Sequence, residues 1–140
     1  MNIKSLKYLL VAIPFILLSC SKGGDTTTTP PETPTESAIA FSVNVDPGAG
    51  NILGVVGTSQ PIIVKVSSAL PKTGVTITVT VTKDADNTNV FTNNISSLTA
   101  DNTINITGLT PGALSTVTVV VASKATPSNT KSLSFKLAAK

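Results

Sequence analysis

The stretch Val75-Thr76-Ile77-Thr78-Val79-Thr80-Val81-Thr82 constrains this chain more than any other. Apolar β-branched residues alternate with threonines throughout it. Successive side chains of a strand point to opposite faces, so a period of two builds one apolar face and one hydroxyl face. A helix would scatter the same residues around its axis. Branching at Cβ suits a pleated, half-buried surface and works against a helix. An apolar strand face is stable only when a sheet forms around it and a second layer covers it. The stretch therefore predicts a strand inside a layered β structure.

The same texture runs from Ala38 to the C-terminus. Ala38 to Val45 alternates apolar with small or polar residues, and Asp46-Pro47-Gly48-Ala49-Gly50-Asn51 is turn chemistry. Ile52 to Val56 reads as a short edge segment. Pro61 opens Ile62 to Val66, and Pro71-Lys72-Thr73-Gly74 turns the chain into the Val75 strand. Asp84 to Asn89 is a polar loop before a short strand around Val90-Phe91-Thr92. Asn102 to Thr107 carries Ile104 and Ile106 in register. Thr116 to Ser123 is apolar enough for a central strand covered on both faces, and Lys131 to Ala138 alternates again through Leu133, Phe135 and Leu137. Short strands at regular spacing with turns between them predict an all-β fold, a single antiparallel sandwich of about seven strands. No amphipathic helix is visible after Cys20.

The residue inventory removes whole classes of chemistry. There is no histidine, hence neither the commonest general base nor the commonest transition-metal ligand. Neither a Ser-His-Asp arrangement nor a histidine-built zinc site can be assembled. There is no arginine, so no bidentate phosphate clamp. Of the formal charge of +3, Lys4 and Lys7 contribute two, and beyond residue 19 eight lysines face seven acids, a balance of +1. Phe41, Phe91 and Phe135 are the aromatic residues of that part, a poor set for stacking bases or sugars. The expectation is no cofactor, no nucleic-acid partner and no enzyme. Carboxylate-only hydrolysis, through acids such as Asp84 and Asp86, remains as a minor alternative. It needs two carboxyl groups converging at about 5–9 Å.

The N-terminus has the layout of a secretory signal. Lys4 and Lys7 precede an apolar run from Tyr8 to Leu18, followed by Ser19 and Cys20. At about 11 residues the run falls short of the roughly 20 that span a bilayer, and Pro14 interrupts it. Leu17-Leu18-Ser19-Cys20 resembles the lipobox of bacterial lipoproteins, which implies cleavage before Cys20, acylation of its sulfur and a membrane anchor. Residues 21–37 contain no large apolar side chain and several prolines, the composition of an extended tether. At about 3.1 Å per residue it would reach on the order of 50 Å. The expected organisation is a signal peptide over 1–19, a lipidated cysteine and disordered tether over 20–37, and the sandwich over 38–140.

Gly108-Leu109-Thr110-Pro111-Gly112 followed by Val117-Thr118-Val119-Val120-Val121 looks like the corner and penultimate strand of fibronectin type III and related immunoglobulin-like domains. The resemblance implies an immunoglobulin-like sandwich with Leu109 plugging one end of its core. Ser115 stands where that family places a tyrosine, so no tyrosine corner is expected, and the usual core tryptophan is missing. Lipobox, threonine-proline tether and threonine-rich domain together are similar to short lipoproteins of the Bacteroidota. That likeness implies the outer membrane, and Asp25 beside Lys22 is a thin form of the acidic signal that favours surface display.

Other candidates are weighed against plainer readings. Asp25-Thr26-Thr27 fits a short O-glycosylation pattern of that phylum, with Thr26 as acceptor. Asn94 and Asn105 begin triplets of the N-glycosylation type, read here as ordinary strand and loop sequence. Asp84, Asp86, Asn87 and Asn89 offer oxygen ligands for calcium, but lack the glycine and distal glutamate of a calcium loop and equally suit a turn. The threonine faces of Thr76 to Thr82 and of Thr116 and Thr118 form a flat polar surface, or serve only as strand formers. The expected function is a lipid-anchored binding or structural module of the bacterial envelope, holding a protein or glycan partner. The competing role is an accessory subunit of a larger envelope complex.

Overall fold

The computed structural model describes residues 35–140. The signal-like segment, the lipobox residues Leu17, Leu18 and Ser19, Cys20, Thr26 and most of the tether lie outside the described residues. Eight strands follow one another: β1 (Phe41–Val43), β2 (Ile52–Val55), β3 (Ser59–Val66), β4 (Val75–Lys83), β5 (Asn89–Ser97), β6 (Asp101–Thr107), β7 (Leu114–Ser123) and β8 (Thr130–Ala139). They form a three-stranded sheet, β1-β3-β6, and a five-stranded sheet, β2-β8-β7-β4-β5. Three strands in one sheet and five in the other, with the first stretch of chain divided between the layers, make a β-sandwich.

The alternating pattern of β4 does what it predicts. Val75, Ile77, Val79 and Val81 are wholly buried, and Thr76, Thr78, Thr80 and Thr82 lie half-buried on the outer face. β7 pairs antiparallel with β4 along its length and contributes Val117, Val119 and Val121 to the same core. β8 adds Phe135 and Leu137, and the three-stranded sheet closes the core with Val43, Ile62, Val64, Val66, Ile104 and Ile106. Leu109 is buried in this cluster as well. Burying such a side chain stabilises by roughly 1.5–3 kcal/mol.

Several expectations are corrected. There are eight strands, and one pair is not antiparallel: β2 runs parallel to β8. The alternation over Ala38 to Val45 yields only three strand residues. At its end the Asn44 side chain takes the Ile63 N–H at 2.7 Å, and the chain then crosses to the other sheet. At its start Asn129 accepts the Ile39 N–H at 3.0 Å and donates to the Ser37 carbonyl. β7 is central, between β4 and β8, but only one of its faces is fully covered. Thr116, Thr118, Val120 and Ala122 remain half-buried on the other. β5 continues well past Thr92, to Ser97. Pro61 is tolerated inside β3 because β1 pairs only with Val64 to Val66, leaving β3 one neighbour there.

Candidate functional site

The outer face of the five-stranded sheet carries an ordered polar array. The register places Thr92, Thr80, Thr118 and Ser134 in one row across β5, β4, β7 and β8. Asn94, Thr78, Val120 and Ser132 form the next row. Rows of this kind repeat about every 7 Å along the strands, with about 4.8 Å between neighbouring strands. Two contacts tie the array together: Asn94 donates to Thr78 Oγ1 at 2.9 Å, and the Thr118 and Ser134 hydroxyls lie 3.1 Å apart.

At one end this face meets a polar node. Thr116 stands opposite both Thr82 and Lys136 in the register, and Asp84 lies just past the end of β4. The Asp84 N–H donates to the Leu114 carbonyl at 3.0 Å, which holds the residue against β7. Lys136 Nζ donates to Asp84 Oδ2 at 2.6 Å and to Thr116 Oγ1 at 2.7 Å. The Thr116 hydroxyl donates in turn to Asp84 Oδ1 at 2.7 Å. Three groups thus close a ring in which each oxygen and nitrogen has a partner. The Lys136 hydrogen bond, then that of Thr116, holds the Asp84 carboxyl below its ordinary value.

A groove of about 370 Å³ opens beside the node, walled by residues 48–52, Leu114, Thr116 and residues 134–136. Its lip is the β1–β2 connection. Asp46 Oδ1 accepts the Gly48 N–H at 2.9 Å, and Asn51 donates to the Pro47 carbonyl at 3.0 Å. Gly48 and Gly50 both hold positive φ, a conformation that costs glycine nothing. Ile52 and Leu114 leave apolar surface exposed in the groove wall. Apolar lining with a few fixed polar groups at the rim is the ordinary make-up of a ligand-binding concavity.

Asp84 and Asp86 have separate partners. Asp86 accepts the Thr88 N–H at 3.0 Å and pairs with Lys83 at 3.5 Å. The Thr88 backbone bond is the main reason its carboxyl is also held low. Asn87 sits at positive φ, completing a tight turn closed by its N–H to the Lys83 carbonyl. The loop therefore spends its acids on a turn and on two lysines. Among the described residues, no group of three or more potential metal-ligating acids, histidines or cysteines comes together. Asn94 lies on the outer face, bonded to Thr78, and Asn105 is exposed on β6.

Sequence reasoning singled out the threonine faces and Asp84 but passed over Lys136, Leu114 and Ile52. The available signal was Lys136 itself, a charge set in the outward phase of β8 between Phe135 and Leu137. Its partner is 52 residues away, and only the strand order brings the two together.

Fold and site define a small all-β sandwich with a hydroxyl-rich outer face ending in a groove. A scan against protein-family models gave no match, and a search of curated proteins gave none. Among solved structures the chain is similar to the sensor domain of the anti-sigma factor RsgI4 of Pseudobacteroides cellulosolvens. The TM-score is 0.46 at 16% identity, over 76% of this chain and 100% of that one.

Proposed function

We propose that this protein is a lipid-anchored module of the bacterial envelope that presents a β-sandwich to a protein or glycan partner. Cys20 carries the lipid, the tether over 20–37 sets the reach, and the sandwich supplies the binding surface. The observation that carries the binding role is the outer face of the five-stranded sheet. Its hydroxyl and amide rows are uncovered among the described residues and run into an apolar-lined groove. Strand formation alone would not require the node at the groove's rim. The anchoring role rests on Leu17-Leu18-Ser19-Cys20, with the outer membrane as the proposed location. A binding role without catalysis is supported by the engagement of Asp84 and Asp86 with separate lysines.

The test is protease shaving of intact cells carrying a C-terminally tagged chain, beside a Cys20→Ala control. The expected result is a membrane-bound tag that becomes soluble when Cys20 is replaced. Loss of the tag on shaving would assign the outer surface, and protection would assign the periplasmic face. A Cys20→Ala chain that stays with the membrane would overturn the anchoring.

A further inference from the structure

We propose that two copies of this chain pair edge to edge through β5, antiparallel about Asn93, so that their five-stranded sheets join into one. The inference starts from what this edge lacks. Natural sheets protect free edges by keeping them short, charged or broken by proline. Among the four edge strands of the described residues, β1 has three residues and β2 four, while β6 carries Asp101. β5 is the longest at nine residues, Asn-Val-Phe-Thr-Asn-Asn-Ile-Ser-Ser, with no charge and no proline. The one irregularity beside it, a register shift at Val81/Thr82, lies at its first residues.

The second observation is Asn93. Its Oδ1 is buried and has no hydrogen-bond partner. Buried polar atoms are nearly always paired, and an orphan needs an explanation. Phe91 and Ile95 flank it on the same face and are only half-buried.

The third observation identifies the occupant. β5 is self-complementary about Asn93. A two-fold axis there sets Phe91 opposite the partner's Ile95 and Thr92 opposite the partner's Asn94. The β4–β5 pair already joins a threonine to an asparagine in this way, Thr78 to Asn94. Asn93 then faces its own copy, with Cβ atoms about 4.5–5.5 Å apart. Oδ1 is closed off from water inside a single chain, so the pairing requires the Asn93 side chain to turn toward the axis. There each amide can donate to the other, and the orphaned oxygen gains a partner. Moving the axis to Thr92 or Asn94 sets asparagine against Phe91 or Ile95. Slipping by half a step opposes inner faces to outer ones. A symmetric pair needs one patch that fits itself, and β5 meets that requirement in this register.

The test is a single-cysteine scan along β5 in the full chain under oxidising conditions, with the unsubstituted chain, which keeps Cys20, as baseline. The residue on the axis alone lies opposite itself. Asn93→Cys should therefore give a disulfide-linked dimer, while Phe91→Cys and Ile95→Cys, each about 14 Å from its own copy by strand rise, should stay at baseline. Mixing those two variants should restore the cross-link. A flat profile, or no product from an Asn93→Cys chain with an intact strand signature in circular dichroism, would overturn the proposal. A second reading avoids the cysteine: sedimentation of the unsubstituted chain should show a dimer that Thr92→Lys abolishes. A chain that stays monomeric at all concentrations would also overturn it.

Discussion

β4 and β5 each span nine residues and lie side by side in one sheet. β4 buries Val75, Ile77, Val79 and Val81 completely, whereas β5 has no fully buried residue. The two differ in position more than in pattern. β4 is flanked on both sides and faces the core, while β5 stands at the rim of a sheet two strands wider than the one opposite. Side chains that point inward on β5, Phe91, Asn93, Ile95 and Ser97, are therefore only partly covered. Strand identity here follows from the ladder, and energetic weight follows from what lies across the sandwich.

The sharpest way to break that comparison is to cut matched residues. Ile77 and Ile95 are direct cross-strand partners. Ile77→Ala should cost about 3–4 kcal/mol, within the range for emptying a packed core site. Ile95→Ala should cost roughly 1 kcal/mol, as a half-covered side chain has less to lose. Urea midpoints of the two variants read the difference directly, and equal shifts would contradict the burial argument.

Gly74 probes the junction of the two strands. It holds positive φ at the head of β4, and an added Cβ would come within 2.3 Å of the Ser97 carbonyl oxygen at the end of β5. Gly74→Ala should cost about 2–3 kcal/mol, combining left-handed strain of about 1–2 kcal/mol with displacement of that carbonyl. Thermal unfolding checks it, and an unchanged midpoint would mean the β5 end moves freely.

Smaller effects are expected on the outer face. Thr80→Val should change stability by no more than about 0.5 kcal/mol. If the face binds a partner, the same substitution should weaken that binding. Smallest at neutral pH is Asp84→Asn. Its folded carboxyl is held low, so its contribution is complete above the ordinary value near 3.8 and is lost as pH falls below it. Removing the charge should flatten the acid limb of the stability curve, with native and variant curves converging at low pH. Denaturant titrations at neutral and acidic pH would show this, and parallel curves would refute it.

Much of this was legible in the sequence, for a local reason. Val75 to Thr82 states its faces in its own alternation, whereas Thr116 to Ser123 reads as covered on both faces because Val120 and Ala122 place apolar residues in its outer phase as well. Asn93 to Ser97 did not read as a strand, because asparagine and serine are poor strand formers and only pairing with β4 makes them a strand. The ends of β1 were hidden for the opposite reason. Asn44 and Asn129 supply side-chain partners to backbone groups, and Asn129 lies 90 residues from Ile39. The node is intermediate: Asp84 stood out as a polar loop residue, while its lysine could be found only through the β7–β8 register.

The parallel pairing of β2 with β8 has a mechanical consequence. Ile52 lies beside Lys136 and Val55 beside Ala139, and the ladder continues through Lys140 N–H to the Val55 carbonyl at 2.8 Å and Gly57 N–H to the Lys140 carbonyl at 3.2 Å. Once β1 has come away from β3, tension applied at residues 35 and 140 pulls β2 by its leading end and β8 by its trailing end. In a parallel pair these are opposite ends, so the strands must slide lengthwise instead of peeling apart. Single-molecule pulling should record a force peak that Gly54→Pro lowers, and an unchanged peak would put the load elsewhere. Under shear every bond of the ladder strains together, so the shortest strand of the five-stranded sheet sets how hard the domain can be pulled before it opens.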